Sequence, residues 1–142
     1  MEIVIGNDHA GVELKNKITQ TLKDDGYTII NQGTDSHESV DYPDFIHPVA
    51  KHIENNQNSK GIIICGSGNG AAMTANKYKK IRAALCWNEK LSKLAREHND
   101  ANILSLPARF LETKEALKIV KTFLNTSFEK GRHLKRVNKI TP

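Results

Sequence analysis

The chain has 142 residues, 38% of them hydrophobic and 26% charged, with nine glycines and four prolines. That is the size of one domain with a substantial core, and the composition excludes bulk disorder. The formal net charge is +5, but it is uneven: from Lys114 onward eight Lys or Arg face two Glu, so this stretch carries +6 and the remainder −1.

A basic tail suits an anionic ligand. No interleaved aromatics or basic helix motif accompany it, so nucleic acid is not expected as a partner. No apolar run approaches the ~18 residues of a membrane span, and the start MEIVIGNDHAG has no signal-peptide pattern, so a soluble cytoplasmic protein is expected, with no membrane partner. Cys65 and Cys86 are too few for a disulfide framework or a four-thiolate zinc site. No His, Cys and Asp spacing reads as a metal site, and none is expected.

Five short apolar runs predict strands: Ile3–Ile5, Tyr27–Ile30, Gly61–Cys65, Ile81–Cys86 and Asn102–Leu106. They are continuous rather than alternating, as in strands buried on both faces. Helical patterns lie between them. Leu14, Ile18 and Leu22 recur every four residues, with Gly26 as the stop. Phe45, Val49 and Ile53 repeat the spacing, although Pro48 interrupts it; the helix either begins near Pro48 or has a distorted first turn. Leu91, Leu94, Ala95 and His98 form a third stripe, and Ala116, Leu117, Val120 and Leu124 a fourth. Alternating strands and helices predict an α/β fold with a parallel sheet, in one domain spanning residues 1–142 whose basic C-terminal segment starts near 126. The polar stretch from Asn31 to Asp41 is a long loop of the functional kind.

In such sheets ligands bind beyond the carboxyl ends of the strands, where strand order reverses. With an assumed order 2-1-3-4-5, the loops after strands 1 and 3 would face each other. The first reads Gly6-Asn7-Asp8-His9-Ala10-Gly11 and the second Gly66-Ser67-Gly68-Asn69-Gly70. The glycine loop lets backbone amides point at an anion; a tight turn without a ligand would explain it too. It is neither a Walker loop nor a dinucleotide fingerprint. Cys65 precedes this loop, where a thiolate can serve as a base beside amides that hold an anion. A cysteine phosphatase is excluded, since the arginine such loops need is Ala71 here. Cys86 reads as a small buried hydrophobe. His98 is either a packed core histidine or, with Asn99, Asp100 and Asn102 beside it, a ligand-facing group. His9 after Asp8 is open between a solvated and a ligand-facing side chain. Arg132, His133 and Arg136 are either a solvated tail or a phosphate clamp.

Taken together, the two loops, Asp41-Tyr42-Pro43, Ala75-Asn76-Lys77, Ile81-Arg82-Ala83, the run Arg96–Asn102, and Gly131-Arg132-His133 with Arg136 match a known pattern from Met1 to about Ile140. The chain resembles the type B ribose-5-phosphate isomerases, of the RpiB and LacA/LacB family of sugar-phosphate isomerases. The resemblance implies a Rossmann-like three-layer α/β/α fold with a five-stranded sheet and a homodimer, or a tetramer, with active sites at the interface. It implies no cofactor and no metal. The implied reaction interconverts D-ribose 5-phosphate and D-ribulose 5-phosphate through an enediolate. Carried over by position, Cys65 is the base and His98 opens the ring, with Asp8 nearby. Ser67 and the amides of Gly66, Gly68, Asn69 and Gly70 stabilise the enediolate. His9, Arg109, Arg132, His133 and Arg136 hold the phosphate, and Tyr42 and Asn99 contact the sugar. Ser67 and Asn69 replace the family's usual Thr and aliphatic residue, Pro107 stands where Gly is usual, and Trp87 and Lys90 are uncommon; the hydroxyl of the loop is kept. An isomerase of allose or galactose 6-phosphate and a non-catalytic sugar-phosphate-binding protein are the alternatives.

Overall fold

The computed structural model describes residues 1–142. Five strands form one all-parallel sheet: β1 (Glu2–Asn7), β2 (Thr28–Asn31), β3 (Lys60–Cys65), β4 (Ala83–Leu85) and β5 (Ile103–Pro107). Six helices connect and cover them: α1 (Val12–Asp24), α2 (Tyr42–Asn55), α3 (Asn69–Ala75), α4 (Glu89–Glu97), α5 (Thr113–Asn125) and α6 (Arg132–Val137). The sheet splits the core in two. Ile3, Ile5, Ile62, Ile64 and Leu104 point toward α1, α4 and α5, and Val4, Ile63 and Ile103 toward α2 and α3. Each such isoleucine is fully buried, contributing about 1.5–3 kcal/mol of apolar burial. This is the expected three-layer arrangement. No helix is long and apolar enough to cross a membrane.

The strand order is β2-β1-β3-β5-β4, not the assumed 2-1-3-4-5. The reversal between β1 and β3 stands, but β5 lies beside β3 and β4 takes the edge. Burial explains the exchange. Every residue of β5 is buried, whereas β4 is three half-buried residues, Ala83-Ala84-Leu85. A long apolar strand gains most from two neighbours, and a short edge strand offers little template for mispairing. Pro107 fits at the end of β5 because the register with β4 stops at Ser105. In α2 the helix neither starts at Pro48 nor loses its first turn: it begins at Tyr42 with Pro43 in the first turn and runs through Pro48. The α4 stripe also differs. Its buried face is Ser92, Ala95 and Arg96, while Leu91 is exposed and Leu94 and His98 stand half out.

Candidate functional site

The predicted residues separate into two groups at opposite ends of the sheet. The first gathers at the carboxyl ends of β1, β3 and β5. Asp8 is buried, and its carboxylate accepts from Ala10 N–H at 2.9 Å, fixing the turn into α1. The His9 ring is tied to the long loop, Nδ1 accepting from Val40 N–H at 3.1 Å. Asp8, His9 and Val40 to Asp44 line a cleft of about 450 Å³. Cys65 ends β3 with 4% exposure and belongs to the core on the α2 side of the sheet.

From Cys65 the chain enters the glycine loop. Gly68 takes φ 75°, and a Cβ there would come within 2.5 Å of Leu85, so no other residue fits easily. A Cβ on Gly70 would sit 2.3 Å from the Tyr42 ring, so the ring packs directly against the loop at this glycine. Ser67 Oγ accepts from Asn69 N–H at 3.2 Å. Arg109 closes the other side: its N–H donates to Gly66 O at 3.1 Å, and its guanidinium passes 3.1 Å from where a Gly66 Cβ would be. Asp8, His9, Tyr42, Cys65, the loop 66–70 and Arg109 thus gather at the carboxyl end of the sheet, beside the cleft that Asp8, His9 and Tyr42 line. They combine a thiol, backbone amides and an arginine fork, a set able to hold an anion beside a base.

The second group lies at the amino ends. Parallel pairing sets Gly61 against Ile103 and Cys65 against Pro107, so residues just before Ile103 stand at the far end from Cys65. The levels are about 13 Å apart at 3.3 Å per residue. His98 caps the C-terminus of α4 there. Arg96 braces the turn, donating to Asp100 Oδ1 at 2.9 Å, Ala101 O at 2.5 Å and Thr126 O at 3.2 Å. Asp100 takes φ 46°, the left-handed conformation that ends the helix. After α5 the chain returns to this end, where Glu129 N–H donates to Glu97 O at 3.1 Å. Lys130 and Gly131 then turn it into α6 with φ 63° and 51°. His133 points inward, and Arg132, Arg136 and Asn99 remain exposed. So one chain brings together His98, Asn99, Arg132, His133 and Arg136, and separately the Cys65 group; it does not join the two. The chain passes from β4 to β5 through α4, so the end of α4 must lie at the amino side of a parallel sheet.

Glu129 was not singled out by sequence; its spacing of four from His133 is the one signal that could have found it. The rings of His98 and His133 stack at 4.1 Å and 13°, and Glu129 Oε2 lies 3.3 Å from His133 Nε2 and 4.0 Å from His98 Nε2. Their ligand atoms fall within 4.8 Å of one another, the one cluster with metal-like proximity. The rings are nearly parallel, however, and a metal must lie in the plane of each imidazole it binds. Stacked planes share no such point, so this arrangement does not fit a metal. Burial pushes the Cys86 thiol up to about 12, leaving it an inert core group. A cavity of about 480 Å³ under the C-terminal tail, lined by Tyr78, Ile81 and Ile140, carries no reactive cluster.

Against known proteins, residues 3–140 match the family described as Ribose/Galactose Isomerase. The chain is 48% identical to a solved ribose-5-phosphate isomerase B of Clostridium thermocellum, with 99% of this chain and 95% of that one covered and a TM-score of 0.96. A ribose-5-phosphate isomerase B of Mycoplasma genitalium, solved with ribulose 5-phosphate bound, is 42% identical, with coverage of 98% and 93% and a TM-score of 0.95. The ribose-5-phosphate isomerase B of Escherichia coli is 39% identical, with 99% of this chain and 94% of that one covered.

Proposed function

Since the chain belongs to the ribose/galactose isomerase family and is an aldose–ketose isomerase, we propose that it interconverts D-ribose 5-phosphate and D-ribulose 5-phosphate through an enediolate, with Cys65 as the base. The observation that carries this reading is Cys65 at the mouth of the glycine loop, with Asp8 and Arg109 on either side. Ring opening comes first. The C1–O4 bond breaks, a proton leaves the C1 hydroxyl and one is delivered to O4; His98 serves this exchange. The Cys65 thiolate then takes the C2 proton. The C–H electron pair forms the C1–C2 double bond and charge moves onto O1, where Ser67 and the loop amides stabilise it. A proton passes from O2 to O1, and Cys65 returns its proton to C1. The phosphate does no chemistry; its binding holds C2 against the thiol.

Cys65 and His98 stand at opposite ends of one chain's sheet, and a pentose phosphate cannot span that gap. We infer a homodimer in which the Cys65 face of one protomer receives the His98 and α6 end of its partner. Arg109 and His9 then share the phosphate with Arg132, His133 and Arg136 of the second copy, and Tyr42 and Asn99 contact the sugar. The exposed Leu91, Trp87, Phe110 and Leu134 would be covered in such a pairing. The test is an isomerisation assay with ribose 5-phosphate against allose and galactose 6-phosphates, together with Cys65→Ala. The variant should bind ribose 5-phosphate but neither turn it over nor exchange its C2 proton with solvent deuterium. Retained exchange excludes Cys65 as the base, and preference for a six-carbon phosphate overturns the substrate.

A further inference from the structure

His133 is 6% exposed, and the polar side chain facing it is Glu129, whose Oε2 is 3.3 Å from Nε2. The carboxylate is thus a close polar contact on the Nε2 edge of the ring, and it favours the ring placement that turns this edge toward Glu129. The same oxygen is 4.0 Å from His98 Nε2, too far for a hydrogen bond. His98 is instead set by the stack, 4.1 Å ring to ring with the planes 13° apart. The order Glu129, His133, His98 is therefore a chain of contacts that ends at a half-exposed imidazole.

The backbone is built around this arrangement. Glu129 N–H donates to Glu97 O, the residue before His98, so the carboxylate and the His98 ring hang from one joined pair of segments. Lys130 then takes φ 63°, a conformation disfavoured for lysine, and Gly131 φ 51°. His133 N–H closes the turn on Lys130 O at 3.0 Å. The reversal brings His133 back against Glu129 within four residues. A solvated tail would have no use for it.

We propose that Glu129 is a positioning residue: its carboxylate holds the buried His133 ring and, through the stack, presents His98 for ring opening. The inference rests on the ring-opening reading of His98 given above. D-Ribulose 5-phosphate carries its phosphate on O5, so it has no hydroxyl placed to close a five-membered ring on C2 and enters the site open. D-Ribose 5-phosphate closes through O4 and must be opened. A residue that acts through His98 therefore matters for one substrate and not the other.

The experiment measures turnover of ribose 5-phosphate and, separately, solvent-deuterium exchange at C1 of ribulose 5-phosphate, for wild type, Glu129→Gln, Glu129→Asp and His98→Asn. Glu129→Gln is isosteric at a half-exposed site, and circular dichroism confirms its fold. It should lower kcat on ribose 5-phosphate by roughly ten- to a hundredfold while exchange at saturating ribulose 5-phosphate stays near wild type, because any weakened phosphate contact of His133 raises KM for both substrates alike. Glu129→Asp should recover part of the loss. Unchanged turnover in Glu129→Gln, equal loss on both substrates, or Glu129→Asp no better than Glu129→Gln overturns the assignment. If His98→Asn shows the split and Glu129→Gln does not, the Glu129 inference falls alone. If neither shows it, the ring-opening reading falls and takes this inference with it.

Discussion

Two cysteines of the same chemistry end in opposite settings. Cys86 is buried just after β4 with its thiol pushed up to about 12 and donating a long contact to Ala84 O at 3.8 Å. Cys65 is nearly as buried, but the next residue starts a loop of amides and an arginine. That contrast was legible in the sequence, because only Cys65 abuts glycines. The basic tail was legible as charge but not as roles, since eight cations look alike until the fold says which face what. Lys121 pairs with Asp25 at 3.3 Å on an open surface, and such pairs contribute little. Arg136 lies on α6, the segment that the His98 end carries. Hydrogen bonds to charged groups contribute about 1.5–3 kcal/mol, so Arg136→Ala should lower kcat/KM by roughly ten- to a hundredfold. Lys121→Ala should stay near wild type. Steady-state kinetics at low and moderate salt decides: a solvated tail predicts small, equal and salt-erased effects for both.

At the scale of elements, the misread helix is the informative one. Leu91, Leu94, Ala95 and His98 have the right spacing for a core stripe, yet of these α4 buries only Ala95, with Ser92 and Arg96. Periodicity marks an apolar face but not whether this chain or another covers it. The buried Arg96 was unreadable because its acceptors, Asp100, Ala101 and Thr126, are assembled only by the fold. Leaving its buried carbonyl acceptors without a donor costs about 1–3 kcal/mol. Arg96→Ala should lower the denaturation midpoint accordingly and also cut activity, by freeing the turn that carries His98; urea unfolding and turnover together test this. The loop after β2 is held differently. Lys15, 2% exposed, reaches Thr34 O at 2.7 Å and the Asp35 carboxylate. The Lys15 ammonium, helped by Asn31, holds the Asp35 carboxyl below its ordinary value. A depressed carboxyl stabilises the fold above its unfolded pKa, near 4, and loses that contribution as pH falls through the lower folded value. Asp35→Asn should therefore be less stable than wild type at pH 7. The difference should close in acid below about pH 4, and a constant difference across pH would show that the ion pair is not its source.

For the whole molecule, strand positions and the three layers follow from the apolar runs, but the sheet order does not. The exchange of β4 and β5 depends on which strand gains more from two neighbours, a comparison no single segment contains. The same holds for the site. Motifs at Cys65 and at His98 look alike as neighbours in a list, while a parallel sheet sends one to its carboxyl end and the other to its amino end. In the proposed dimer each active site takes Cys65 from one protomer and His98 from the other. Cys65→Ala and His98→Asn homodimers are then both inactive on ribose 5-phosphate. Mixing them through a dissociation and reassociation step places an intact Cys65 opposite an intact His98 in one of the two sites of every mixed dimer. With random pairing half the dimers are mixed, so about a quarter of wild-type activity should return. A site built within one chain predicts none, because each chain carries a broken half. Activity recovered on co-refolding equal amounts of the two variants, read against each refolded alone, separates these outcomes. A mixture as inactive as its parts, with mixed dimers demonstrated by mass, would rule out the shared site.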